Sequence, residues 1–331
     1  MSRSAQTGKL AARQLERLLG RYAQTQDPSV RVGPRVGLDA AAVAAEAGTL
    51  VLASDPVTYT VADLGAYAVH VNANDVFVSG AEPRWFLADI LLPPGRGRLA
   101  GTILRQIHAA CKELGVALVG GHTEMTPGLP RAMVAGFMIG QAVGDTAVTA
   151  AGVRPGDIVI LTKAAAIEGT AVIAREFSER LARRVPAATL RRATGFLRRP
   201  GLSVGPEARI AARHGAHAMH DPTEGGVLNG LWEMAQASSV VLDVRAGAIR
   251  VETETRAICE PLGIDPLRLL ASGALLVAAA PDDADAMLNA LGKTGVSAAR
   301  IGRARAGRAA LRLDSRQVVR QPVVDEVLKL L

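Results

Sequence analysis

Five acidic residues, Asp39, Asp55, Asp75, Glu124 and Asp221, fall at strand ends, in loops or beside a polar neighbour rather than along one charged face. Carboxylates gathered from several loops suit Mg2+, which takes oxygen ligands in octahedral geometry and leaves places for phosphate. Taken singly, each acid also reads as a cap or turn residue. Glycine supplies the other half of a nucleotide site, because backbone N–H groups approach phosphate oxygens closely only where no Cβ intervenes. Three stretches qualify: Gly120-Gly121 ahead of His122-Thr123-Glu124, Gly169-Thr170 downstream of Lys163, and Gly225-Gly226 after Asp221-Pro222-Thr223-Glu224. A single Gly-Gly pair is ordinarily a turn. Three such stretches, two of them next to acids, point towards phosphate.

Other chemistries lack their signatures. The chain has no GxxxxGK[ST] loop, no strand-GxGxxG-helix unit, no GxSxG elbow and no HExxH helix. The fragment GRGRLAG at 95–101 follows Pro93-Pro94 and reads as a loop. The histidines, at 70, 108, 122, 214, 217 and 220, are scattered without zinc-ligand spacing. Cys111 and Cys259 lie far apart and read as buried apolar side chains.

The elements that must carry these residues follow from periodicity. A short helix is expected over 10–22, ending at Gly20, and a first strand over 49–54, stopping at Asp55-Pro56. Helical spacing runs from Asp63 to Ser79, a strand covers 84–92, and Ile103, Ile107, Cys111 and Leu114 mark a helix closed by Gly115. The run 116–121 reads as a buried strand, and 131–140 as another. The Gly- and Thr-rich stretch 144–156 is the expected junction between a domain of residues 1–148 and one of residues 149–331. The second domain opens with a strand at 157–162, continues through a helix carrying Ile173, Phe177 and Leu181 and a helix near 206–213, and reaches a late strand at 274–280.

At 331 residues and 49% hydrophobic content the chain can bury a large core, and with aromatics at only 3% that core must rest on Ala, Val, Leu and Ile, which suits helix-on-sheet layers. An α/β (α+β) architecture of two domains is expected. No stretch offers an apolar run long enough for a membrane span or a signal-peptide core, so a cytoplasmic protein without a membrane partner is expected. The net charge of +7 is concentrated in Arg180, Arg183, Arg184, Arg191, Arg192, Arg198 and Arg199 and in Arg300, Arg303, Arg305 and Arg308. Neither group is interleaved with Phe or Tyr for base stacking, so solvated faces are expected rather than nucleic acid.

Taken in order and spacing, Asp39-Ala-Ala-Ala-Val43, Asn74-Asp75-Val76 with Ser79-Gly80-Ala81-Glu82-Pro83, Gly120-Gly121-His122-Thr123-Glu124 and Asp221-Pro222-Thr223-Glu224-Gly225-Gly226 resemble one superfamily across roughly residues 35–280. It is the aminoimidazole-ribonucleotide-synthase (PurM)-like superfamily, which includes HypE, selenophosphate synthetase and thiamine-monophosphate kinase. The resemblance implies an N-terminal half that dimerises through its sheet, a C-terminal α/β half, and ATP with Mg2+ bound between them. By that resemblance Asp39, Asp55, Asp75 and Asp221 hold metal and phosphate, with Asp75 and Asp221 also catalytic. Asn74 orients Asp75, and Gly120, Gly121, His122, Thr123 and Glu124 face the nucleotide, as do Gly169, Thr170, Thr223, Gly225 and Gly226. Lys163 is the candidate contact to phosphate or acceptor. The reaction implied is transfer of the γ-phosphoryl group to a small-molecule acceptor, or ATP activation of it, by a homodimer.

The pattern also departs from the family. Leu38 precedes Asp39 where relatives carry paired acids, the stretch Lys163–Thr170 is altered, and the C-terminal segment Glu326–Leu331 has no cysteine of the kind HypE acts on. No cysteine precedes Cys111, which disfavours selenophosphate synthesis. A thiamine-monophosphate-kinase-like activity, or a non-catalytic nucleotide-binding dimer acting as a regulator or maturation partner, are the alternatives.

Overall fold

The computed structural model describes residues 12–22, 27–46, 48–60, 62–144, 147–314 and 317–330. Its N-terminal half begins with helix α1 (Ala12–Tyr22) and builds one sheet from strands β1 (Val30–Val32), β2 (Ala41–Ala45), β3 (Gly48–Val57), β4 (Ala81–Leu92), β5 (Ala117–Met125) and β6 (Met133–Ala142). The sheet order is β1-β2-β3-β6-β4-β5, antiparallel except for the parallel pair β4–β5. Two helices, α2 (Leu64–Val78) and α3 (Leu99–Leu114), complete this half. A parallel neighbour needs a crossover, and α3 provides it between β4 and β5.

Helix α2 is apolar on nearly all sides and is accordingly buried from Leu64 to Val78, Ala66 excepted, with the N-terminal sheet on one side and the C-terminal half on the other. The polar residues that such a helix carries, Asn72, Asn74 and Asp75, must find partners inside the protein.

The C-terminal half forms a second sheet, β13-β12-β9-β11-β7-β10-β8, in which only β9–β12 is parallel. Its strands are β7 (Ile158–Thr162), β8 (Ala218–His220), β9 (Val241–Val244), β10 (Leu276–Ala279), β11 (Ala298–Arg305), β12 (Ala310–Leu313) and β13 (Gln317–Val319). Its helices are α4 (Ile167–Glu176), α5 (Ser178–Leu181), α6 (Ala187–Thr194), α7 (Gly205–Arg213), α8 (Gly226–Ala237), α9 (Thr253–Cys259) and α10 (Pro281–Lys293). Leu228 and Leu231 of α8 pack with Leu242 and Leu311 of the sheet. A further apolar cluster runs without a break from Phe86 and Val76 of the N-terminal half to Val204, Met219 and Ile160 of the C-terminal half. No helix among the described residues is long and apolar enough to cross a membrane.

Several expectations from the sequence change. Helix α1 continues past Gly20 to Tyr22, and Leu10 lies outside the described residues. Strand β3 runs through Asp55 and Pro56 to Val57 rather than stopping there. Beyond Leu52 β3 stays paired with β6 but has no β2 partner, and the Asn72 amide bonds both backbone groups of Asp55. The expected helix through Ile173, Phe177 and Leu181 is broken at Phe177 into α4 and α5. The buried strand expected at 116–121 is buried only at Val116, because β5 is the sheet's edge and every one of its residues is exposed.

Candidate functional site

Strand β8 ends at His220, and the turn Asp221-Pro222-Thr223-Glu224-Gly225 leads directly into α8. Gly225 and Gly226 both take positive φ, 79° and 67°. A Cβ at Gly226 would lie 2.6 Å from Leu267 O, so the turn needs glycine for its closeness to residues 267–269 as well as for its dihedral. The turn is closed by Gly226 N–H donating to Thr223 O, and residue 271 donates to the same carbonyl.

This turn meets the loop before β2. His220, buried at 3% exposure, places Nδ1 2.7 Å from one Asp39 carboxylate oxygen and 2.8 Å from the other, and Nε2 3.0 Å from Glu233 on α8. Burial alone would depress its pKa, but the two flanking carboxylates raise it well above the ordinary value by favouring the charged ring. Asp221 is 1% exposed, and neither of its carboxylate oxygens meets a hydrogen-bond partner from another residue. Burial raises its pKa well above the ordinary carboxylate range, and Asp39 and Asp55 raise it further by repulsion. Asp39, His220 and Asp221 offer ligand atoms within 4.8 Å of one another.

An orphaned buried carboxylate beside two more acids calls for a cation. The donor set suits Mg2+ better than zinc: both nitrogens of His220 are engaged by carboxylates, which leaves oxygen from Asp39 and Asp221 for the metal and gives His220 the work of orienting Asp39. Asp39 and Asp55 line a cleft of about 1700 Å3 together with Asn229, Trp232, Glu233 and Asp325.

The other residues marked in the sequence are placed as follows. Asp75 is buried on α2 at 4% exposure. Asn74, expected to orient Asp75, spends its amide across the halves, donating to Leu202 O at 2.9 Å and accepting from Val204 N at 3.0 Å. Lys163 is engaged within the protein: its Nζ lies 2.8 Å from Glu207, which is itself 1% exposed, and donates to Ser203 O and Gly201 O. The ammonium thus donates to two carbonyls and is paired in charge with one buried carboxylate.

The stretch 163–170 runs into the buried first turn of α4. Gly169 sits in α4 against Leu269, with its N–H donating to Leu270 O, and Thr170 bonds Ala166 O and the Thr255 hydroxyl. Gly225 N–H is already capped, by the Asp325 carboxylate at 2.7 Å. Asp325 also accepts from Val327 N–H, and burial lifts its pKa to about 6.

Gly120, Gly121, His122, Thr123 and Glu124 lie on the exposed strand β5, and none of them lines the cleft that holds Asp39 and Asp55. A Cβ at Gly121 would collide with Ala88 O of β4. Glu124 accepts from the Thr126 hydroxyl at 2.8 Å and meets His122 at 3.3 Å, and these hydrogen bonds lower its pKa. Three residues that shape the Asp39 site, His220, Glu233 and Asn72, escape the sequence reading. His220 adjoins Asp221, and Asn72 stands two positions before Asn74, but nothing in their spacing ties them to Asp39 or Asp55.

The chain matches two family models: AIR synthase related protein, N-terminal domain, over residues 37–142, and AIR synthase related protein, C-terminal domain, over residues 154–314. It is 30% identical over 270 residues to a carbamoyl dehydratase HypE of Rhizobium leguminosarum bv. viciae, covering 78% of this chain and 73% of the relative. Among solved structures it is similar to hydrogenase maturation protein HypE in complex with ATP, at a TM-score of 0.71, 22% identity, and 95% and 96% coverage of the two chains. It is also similar to AaThiL complexed with AMPPCP and TMP, at a TM-score of 0.73, 18% identity and 94% coverage of each.

Proposed function

Because the chain belongs to the AIR synthase-related family of ATP-using enzymes, we propose that it uses Mg·ATP to phosphorylate or activate a small-molecule acceptor at the Asp39–Asp221 site. One observation carries this reading above the rest: the Asp221 carboxylate is buried and has no hydrogen-bond donor from another residue, within ligand distance of Asp39 and under repulsion from Asp55. Folding leaves such a group unpaired only at a cost, and a bound cation removes that cost.

Asp39 and Asp221 would hold Mg2+, with Asp55 and Asp75 completing the acidic set. Bound there, the ion neutralises charge on the phosphoryl oxygens. His220 fixes Asp39 from behind, Asn72 fixes the backbone of Asp55, and Glu233 keeps His220 protonated and in place. The relative solved with ATP and the one solved with AMPPCP support the choice of nucleotide.

Function as a homodimer is part of the proposal. Helices α2 and α3 cover one face of the N-terminal sheet, while Trp85, Leu118, Val119, Met125 and Phe137 are exposed at its strands. Gly120–Glu124 would then approach nucleotide where β5 borders the second copy.

Calorimetric titration with AMPPCP, with and without Mg2+, tests the reading. Wild type should bind only with Mg2+, and Asp221→Asn should lose that dependence together with most of the affinity. Wild type that ignores millimolar Mg·AMPPCP sinks the assignment.

A further inference from the structure

The cleft lined by Asp39 and Asp55 also carries a group of basic side chains. Arg13 on α1, Arg308 in the turn between β11 and β12, Arg312 on β12, and Arg320 after β13 all line it. Among the described residues the side chains of these four show no hydrogen bond or ion pair, and all four residues are exposed. Of the acids that line it, Asp39 and Glu233 are engaged on His220, and Asp325 on the backbone of Gly225 and Val327, while Asp55, Glu224 and Glu16 line it as well.

The strand pattern fixes the direction of Arg312. Leu311 and Leu313 of β12 turn into the core, so Arg312 between them turns the other way. Arg312 is paired in register with Val318 of β13, which also lines the cleft, as does Arg320 two positions on. Trp232 lines the cleft too, and its indole Nε1 is buried without a partner. Guanidinium groups stay charged at any working pH, so several gathered in one concave site repel one another until an anion arrives. Their planar forks match the oxygens of phosphate and carboxylate.

We propose that Arg312 and Arg320, with Arg308 and Arg13 beside them, form the acceptor-binding end of the cleft, and that the acceptor is a small molecule carrying at least two negative charges on a phosphomonoester or on paired carboxylates. This rests on the reading of the Asp39–Asp221 end as the Mg·ATP site and gives that reading its substrate class. The anionic group of the acceptor anchors on the arginines, and the acids at the other end repel it. A polyanion is thereby held in one orientation, its charged end away from the metal acids and its reacting end towards them.

The test is calorimetric titration of the full chain with inorganic pyrophosphate in EDTA, so that no metal draws the probe to the acids. Wild type should bind it, and raising salt from 50 to 200 mM should weaken that binding. The double variant Arg312→Gln/Arg320→Gln should bind at least tenfold more weakly, while Arg183→Gln/Arg191→Gln, which removes the same charge elsewhere on the surface, should bind as wild type does. Mg·AMPPCP titrated into Arg312→Gln/Arg320→Gln should bind as it does to wild type, which also reports that the variant is folded. Pyrophosphate binding that is equal in wild type and Arg312→Gln/Arg320→Gln, or lost equally in the charge-matched control, overturns the acceptor site. Failure of Mg·AMPPCP to bind wild type overturns the nucleotide reading instead, and leaves the pyrophosphate comparison to be judged on its own.

Discussion

At the residue scale, Asp221 sets function against stability. Its buried carboxylate meets no donor from another residue and is repelled by Asp39 and Asp55. Asp221→Asn keeps the shape and removes the charge, so the metal-free variant should be more stable than wild type by about 1–2 kcal/mol. Mg2+ should raise the melting temperature of wild type and leave that of the variant unmoved, because only a ligand that binds the native state stabilises it. A variant less stable than wild type without metal would show that Asp221 is satisfied in some other way. Glu168 gives a second residue-scale prediction. Burial pushes its pKa up to about 7, partly offset by the Ser272 hydroxyl that donates to it at 2.5 Å. An acid whose folded pKa lies above its unfolded value holds its proton longer when folded, so stability falls as pH rises from the unfolded pKa of 4.5 towards 7. Glu168→Gln should flatten that fall and be more stable than wild type at pH 8 by on the order of 3 kcal/mol in urea unfolding. Asp39 and Asp221 were legible in sequence because each stands in a local motif. Their partner His220 was not, since its contact with Asp39 spans 181 positions and no periodicity reports such a distance.

At the element scale, the loop 201–204 is gripped from both halves. Lys163 at the end of β7 holds the carbonyls of Gly201 and Ser203, and Asn74 of α2 holds Leu202 and Val204. The motif Asn74-Asp75 was visible in the sequence, but the hydrogen bonds of the Asn74 amide to Leu202 and Val204, which clip the halves together, were not. Asn74→Ala leaves a buried carbonyl and a buried N–H unpaired and should cost about 2–4 kcal/mol. Lys163→Met strands Glu207, 1% exposed, and should cost about 3–5 kcal/mol in urea unfolding. If Lys163 instead contacts phosphate, the variant should lose Mg·AMPPCP affinity with little loss of stability, so the two measurements separate the roles. Most helices and central strands were legible because their apolar period reports the face they bury. Strand β5 misled for the same reason: a continuous apolar run fits a buried strand, but here it forms an edge and shows its apolar side chains outward.

At the scale of the whole molecule, the two halves share one continuous apolar cluster, and α2 is buried from both sides, so the halves are expected to unfold together. The strand order of the N-terminal sheet leaves one unresolved liability. An exposed edge carrying Leu118, Val119 and Met125, next to the exposed rings of Trp85 and Phe137, invites pairing unless another chain covers it. Covering by a second copy is the economical solution, since a two-fold axis lets one patch serve both sides of the interface. Val119→Lys/Met125→Lys places two charges where that interface would desolvate them and should turn a dimer into a monomer by light scattering. Neither residue is buried within the chain, so the urea midpoint of the separated monomer should hold. If Gly120–Glu124 approach nucleotide only beside a second copy, the monomeric variant should bind Mg·AMPPCP at least tenfold more weakly although Asp39, Asp55 and Asp221 are untouched. A wild type that is already monomeric, or a monomeric variant with full nucleotide affinity, would place the whole site within one chain and reduce β5 to an exposed edge.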